Sequence, residues 1–171
     1  MEIVVNDTEV LIDMYNANLL GLVEQCSIRF HTVDYVMAEL HQSSYKRPEI
    51  DRMVEDGILI VHSFSEMENV DLGTYYAKMT ATTNLSLTDC AVLKYSKDNG
   101  YRLLTGDKKL RNHAEDEGVL VSGILYLVDR FVAEHIISGS MMADRLELLL
   151  MTNPRLPKAI FEEHIKMLRE L

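Results

Sequence analysis

The sequence predicts an α/β fold of three layers, α/β/α, with a central parallel sheet of about five strands and additional helices at the C-terminus. Three observations predict it. Short apolar runs of strand type alternate with stretches whose apolar residues recur at helical spacing. Helix boundaries are marked by capping chemistry: Ser65 with Glu68 and Ser86 with Asp89 have the spacing of capping boxes, and Asn99-Gly100 has the composition of a left-handed helix ending. The helical stretches are long enough to carry the crossover from one parallel strand to the next.

In chain order, Ile3–Asn6 is a brief apolar run of strand type that Asp7 ends. A helix is expected from about Glu9 to Gln25, with Leu11, Met14, Tyr15, Asn18, Leu19 and Leu22 at helical spacing. Arg29–Thr32 reads as a second strand, and Asp34 as the cap of a helix striped by Val33, Val36, Met37 and Leu40. Glu39 neighbours that stripe without belonging to it, which leaves its carboxylate free for a cleft or water. Pro48 suits the first turn of a short helix ending at Gly57. Ile58–His62 is the third strand, followed by a helix from Ser65 to about Ala81.

Leu85–Asp107 then reads as helix, turn, strand and a closing acid, with Arg102–Thr105 as the strand. A helix beginning near Asp107 stops near Gly118. Val119–Ser122 is the fifth strand and Ile124–Ile136 an amphipathic helix. Ser138-Gly139-Ser140 breaks the pattern before two last helices, about Met141–Met151 and Pro157–Leu171, separated by Asn153-Pro154. The whole chain, 1–171, reads as one domain in which 140–171 is a helical extension. Most apolar residues of that extension, among them Met142, Leu146 and Leu149, are expected to complete the core, and the rest to form a dimer or partner surface.

Composition narrows the function classes. Apolar residues make up 47% of the chain, as in a globular protein. No window approaches the roughly 20 apolar residues of a membrane span, and MEIVVND lacks the basic and apolar regions of a signal peptide. Cys26 and Cys90 lie far apart and outside any CxxC spacing, so free thiols in a reducing cytoplasm are expected. The net charge of −10, from 27 acids and 17 bases, argues against coating nucleic acid by charge alone. It leaves room for an enzyme whose acidic pocket is neutralised by bound metal.

Four acids stand out. Taken singly, each has a local structural explanation: Asp7 and Asp107 as helix caps, Asp89 as half of a capping box, Glu39 as a solvated acid on a helix. Taken together they differ. If the strands are parallel, Asp7, Asp89 and Asp107 are directed to one edge of the sheet, where α/β proteins place their working cleft. Clustered carboxylates repel, so they take up protons or hold a cation. Hard oxygen ligands suit Mg²⁺ or Mn²⁺, which lower the pKa of a bound water and neutralise a phosphodiester under attack.

The motifs VVNDTEVLID at Val4–Asp13, AEL at Ala38–Leu40, LSLTDCAVLKYSKDNG at Leu85–Gly100 and LLTGDKKLRNHAEDEGV at Leu103–Val119 resemble, in order and spacing, those of the PIN-domain family. The resemblance runs from about Ile3 to Phe131, and the tail LPKAIFEEHIKMLREL is similar to the helical end of some prokaryotic members. It implies a metal-dependent endoribonuclease that cuts single-stranded RNA with an activated water. Asp7, Glu39, Asp89 and Asp107 would be the quartet holding Mg²⁺ or Mn²⁺, and Thr105 the hydroxyl that supports it. It also implies the toxin of a toxin–antitoxin pair, held in check by an antitoxin protein. One position departs from the family pattern: Glu9 stands where Asn or Ser is usual, adding a ligand or distorting the site.

Lys94, Lys108, Lys109 and Arg111 are candidate phosphate-binding residues, each equally explicable as part of a solvated helix face with pairs such as Arg111–Glu115. Lys46, Arg47, Arg155 and Lys158 are weaker candidates. The six histidines lack HxxxH or HExxH spacing, which argues against zinc; His31 and His62 read as structural residues. Neither GxGxxG after a strand nor GxxxxGK[ST] is present. Two rival readings stand beside the nuclease. Asp7-Thr8-Glu9-Val10 approaches the DxDx[TV] of haloacid-dehalogenase-like phosphotransferases, although Glu9 replaces the second acid and Arg111 stands where a further Asp is needed. The other is a non-catalytic PIN-like binding module, suggested by Glu9 and the strong negative charge.

Overall fold

The computed structural model describes residues 1–171. Five strands form one parallel sheet: β1 (Ile3–Asn6), β2 (Arg29–Val33), β3 (Leu59–His62), β4 (Arg102–Leu104) and β5 (Val121–Ser122), in the order β3-β2-β1-β4-β5. The chain therefore starts in the middle of the sheet, moves outward through β2 to β3, then returns to the other side of β1. The strand order reverses between β1 and β4, which is where open parallel sheets leave a crevice at their carboxyl ends.

Nine helices cover the sheet: α1 (Thr8–Asn16), α2 (Asp34–Gln42), α3 (Pro48–Glu55), α4 (Glu66–Thr80), α5 (Leu87–Asn99), α6 (Lys108–Asp116), α7 (Ile124–Ala133), α8 (Gly139–Thr152) and α9 (Lys158–Arg169). Helix α1 packs against α3, α7 and α8, whereas α5 packs against α4 and α6, so the sheet is covered on both faces. Its strands accordingly carry continuous apolar runs: Val4, Val5, Leu103 and Leu104 are fully buried.

Local chemistry sets most boundaries as expected. Both capping boxes form, Ser65 with Glu68 ahead of α4 and Ser86 with Asp89 ahead of α5. Gly100 ends α5 in the left-handed region at φ 68°. Two expectations are corrected. The long helix from Glu9 to Gln25 is broken: α1 stops at Asn16, Asn18 takes φ 56°, and a 3₁₀ turn spans Leu20–Gln25. A periodic apolar pattern continues through that break because the turn buries the same side as the helix before it, with Leu19 and Val23 inside. Asp34 does not cap α2; Val33 holds the cap position and Asp34 Oδ2 accepts from Phe64 N–H at 3.2 Å, tying α2 to the loop after β3.

The C-terminal pair belongs to the same apolar core as the sheet, through Met142, Leu146, Leu149, Phe161, Ile165 and Leu168. Gly139, expected only as a break, opens α8 behind the Ser138 cap. A Cβ built on Gly139 would lie 2.4 Å from the Leu168 carbonyl oxygen, so α8 and α9 approach too closely there for any side chain. At the opposite edge of the sheet from the crevice, Glu2 gathers Arg102, Arg130 and the Tyr126 hydroxyl, a network that ties β1, β4 and α7 together. Cys26 and Cys90 are both free thiols. No helix is long and apolar enough to cross a membrane.

Candidate active site

The first acid follows β1. Asp7 caps α1, its Oδ1 accepting from Val10 N–H at 2.9 Å, and its own N–H donates to the Leu104 carbonyl at 3.1 Å. Its Oδ2 accepts from the Thr105 hydroxyl. The side chain is 7% exposed, and burial pushes its carboxyl up to about 7; the charges of Asp89 and Glu9 push the same way, against the two hydrogen bonds.

Thr105, itself fully buried, also accepts from the Asp107 N–H at 3.1 Å. Asp107 caps α6, with Oδ1 accepting from Lys109 N–H at 2.8 Å and Leu110 N–H at 3.1 Å. Asp89 enters from the first turn of α5. The capping box holds it, Oδ2 accepting from Ser86 N–H at 3.0 Å. Burial raises its pKa, and the charges of Asp107 and Glu39 raise it further. Glu39, on α2, accepts from the Thr8 hydroxyl at 2.6 Å, which holds it beside the residue that follows Asp7.

Asp89 therefore lies within electrostatic range of the other three acids. Asp7 responds to Asp89, and Asp89 to Asp107 and Glu39. No ion pair in the structure involves any of the four. Uncompensated carboxylates at one locus fit a divalent cation by donor chemistry. The donors are hard oxygens: Cys90, the residue after Asp89, is buried, and burial pushes its thiol up to about 11. As the side chains stand, no three His, Cys, Asp or Glu converge as a finished ligand set.

A cleft of about 600 Å³ opens at this edge. Glu9, Thr105 and Asp107 line one side, with Lys108 and Arg111 beside them. The rest of the lining comes from the first turn of α7 and from the α8–α9 linker, where Asn153, Arg155 and Leu156 take part. Arg111 does not pair with Glu115; its Nη2 donates to the Thr105 carbonyl at 3.4 Å. Lys109 is exposed on α6 and contributes its amide to the Asp107 cap. Lys94 lies elsewhere: its Nζ donates to Asp98 at 2.7 Å, and it lines a separate hollow with His62, Phe64, Glu68 and Tyr95. His31 and His62 are structural, His31 Nδ1 meeting the Tyr95 hydroxyl at 2.9 Å and His62 Nε2 meeting Glu68 at 2.6 Å.

Two participants went unnoticed in the sequence. Asp13 lines the cleft at 6% exposure, and Asn153 donates to its Oδ1 at 2.9 Å. Burial, then the charge of Glu9, pushes the Asp13 carboxyl up to about 6. The available signal was its place in α1: Asp13 stands one turn after Val10 and one turn before Ala17, both buried. An acid on the inward face of a helix requires a partner or a function. The partner, 140 residues on, has no local signature.

Comparison with known proteins agrees with this fold. The family model DUF3368: PIN domain matches residues 3–170. The chain belongs to the PIN-domain family. Among solved structures, a PilT N-terminus domain protein from the archaeon Sulfolobus solfataricus is similar at 18% identity, with 73% of this chain and 89% of that chain covered and a TM-score of 0.52. The VapBC2 structure from Rickettsia felis is similar at 15% identity, with 71% and 98% covered and a TM-score of 0.52. At these identities the likeness bears on the fold, and it agrees with the PIN-like α/β/α layers. A search of curated protein sequences returned no match.

Proposed function

We propose that this PIN-domain chain is a metal-dependent endoribonuclease acting on single-stranded RNA, of the toxin type. The observation that supports the reading is that Thr105 bonds both the Asp7 carboxyl and the Asp107 backbone, Thr8 holds Glu39 beside Asp7, and the charge of Asp89 reaches Asp7, while none of the four acids has a basic partner. Asp7, Glu39, Asp89 and Asp107 would hold Mg²⁺ or Mn²⁺, and Glu9, at the mouth of the cleft, adds negative charge beside them. When bound, the ion supplies a water of lowered pKa and neutralises charge on the phosphodiester.

The chain's own residues have distinct tasks in this reading. Thr105 fixes the Asp7 carboxyl and the Asp107 backbone in one geometry. The Ser86 capping box holds one oxygen of Asp89 and leaves the other for the site. Thr8 restrains Glu39, which is otherwise exposed. Lys108 and Arg111, on the same cleft, offset the charge of the approaching strand.

The Rickettsia felis neighbour is described as VapBC2 bound to a DNA fragment from their promoter. That description supports a co-expressed antitoxin as the protein partner of this chain. Exposed Met141, Leu148, Met151 and Met167 on α8 and α9 supply apolar surface for such a partner or for a second copy.

The phosphotransferase alternative has no support. Glu9 replaces the second acid of its motif, and Arg111 stands where a further Asp is needed. The binding-module reading retains one observation in its favour, Glu9 at the cleft. Metal-dependent cleavage of single-stranded RNA that is lost in Asp89→Asn separates the two; calorimetry with Mn²⁺ that detects no binding to the folded protein favours the module.

A further inference from the structure

The cleft beside the carboxylates has a second chemical character. Lys108, Arg111 and Arg155 all line it, and none forms an ion pair, although Glu9, Asp13 and Asp107 share the same walls. Elsewhere some bases find acids, as Arg102 and Arg130 do at Glu2 and Arg169 at Asp144 and Glu147, and others, such as Arg29, Arg52 and Arg145, do not. The cleft thus carries as many bases as acids in a chain of net charge −10, and its three bases have no carboxylate partner. Ile124, Leu125, Leu156 and Ile160 give the lining an apolar wall. Helices α7 and α9, whose first turns form part of that wall, have no side-chain cap, so their first N–H groups are open to an anion.

The geometry points to a nucleotide subsite for the strand next to the scissile phosphate, with Arg155 of the α8–α9 linker and Arg111 of α6 holding the adjacent phosphate and the Leu125–Leu156–Ile160 wall taking the sugar and base. The volume, about 600 Å³, lies within the range of small-ligand sites, roughly 300–1,000 Å³. Lys108, next to Asp107, is on the carboxylate side, so the cleft presents acids for a cation and bases for a phosphate in sequence. A phosphodiester chain crossing a metal site needs that order. The apolar wall offers no exposed aromatic ring, since Phe161 is buried, so base preference through stacking is weak. The Asp13–Asn153 hydrogen bond holds the linker that carries Arg155 against α1. The inference rests on the nuclease reading for the identity of the polymer, but its test does not need cleavage.

The test is fluorescence anisotropy of a labelled ten-nucleotide single-stranded RNA of mixed sequence, with EDTA present so that no cutting occurs. Wild type, Arg155→Ala, Arg155→Lys and Arg111→Ala are titrated at several salt concentrations. The Arg155 guanidinium has no protein partner, and its only bond is the backbone N–H to Asn153 at 3.0 Å, so the fold is unaffected by its removal. Arg155→Ala and Arg111→Ala each weaken binding roughly tenfold and lower the salt slope by about 0.7, the contribution of one single-strand phosphate; Arg155→Lys retains the slope. If Asp89→Asn and wild type both fail to cleave with metal while this dependence on Arg155 holds, the nuclease reading fails alone. Equal affinity and slope in all four proteins, or no binding by wild type at low salt, would overturn the subsite.

Discussion

The Thr105 hydroxyl donates to Asp7 Oδ2 while accepting from the Asp107 N–H at 3.1 Å. One side chain thus couples the ends of β1 and β4 across the point where strand order reverses. Thr105→Val keeps the shape and removes both bonds. A buried carboxylate oxygen and an amide then lose their partner, which costs about 1–3 kcal/mol. Urea denaturation measures that loss. Thr105→Ser restores most of it, and a Val variant as stable as wild type removes Thr105 from this role.

Asp13 gives a pH signature. Its folded carboxyl titrates near about 6, above the ordinary 3.8, so the folded state binds the proton more tightly than the unfolded state. Stability contributed by this group therefore falls as pH rises from about 4 to about 6, and the full penalty persists above that. Asp13→Asn carries no such penalty and can still accept from Asn153. The variant is expected to be more stable than wild type at pH 8, by on the order of 2 kcal/mol, and equal to it near pH 4. Melting curves at the two pH values decide; a constant difference at both contradicts the assignment.

Gly139 fixes the distance between α8 and α9. An alanine Cβ would meet the Leu168 carbonyl at 2.4 Å, a contact with backbone that cannot swing aside. Gly139→Ala is expected to destabilise by about 1–3 kcal/mol despite alanine's better helix propensity. Chemical denaturation gives the sign: a stabilised variant means that the two helices are not packed at this point.

Cation binding should also appear as stability. Mn²⁺ at a hundred times its dissociation constant stabilises the folded protein by about 2.7 kcal/mol. Asp107→Asn reduces the gain, and Glu9→Gln reduces it less, because Glu9 stands outside the four acids proposed to hold the ion. A thermal shift that is the same in wild type and Asp107→Asn would place the cation elsewhere.

Much of this was legible in the sequence because it rests on local chemistry. The Ser86–Asp89 box and the left-handed Gly100 fix α5, and with it the height of Asp89 above the sheet. The apolar runs at Ile3–Asn6 and Arg102–Leu104 fix where Asp7 and Asp107 emerge. What was not legible depends on distant partners. Nothing near Asn18 announces that α1 must end to let Leu19 and Val23 turn inward. Nothing in the α8–α9 linker announces that Asn153 will meet Asp13, or that Arg155 will share a cleft with Arg111. Lys94 illustrates the reverse: it lies on the same helix as Asp89, but five residues turn it away toward Asp98 and a different hollow.

The most direct measurement is cleavage of mixed single-stranded and structured RNA by the purified protein, with Mg²⁺ or Mn²⁺, with EDTA, and with Asp89→Asn alongside. Cutting of single-stranded regions is expected to require metal and to be lost in Asp89→Asn at unchanged melting temperature. Cutting that persists in EDTA or in the folded Asp89→Asn protein would contradict that expectation.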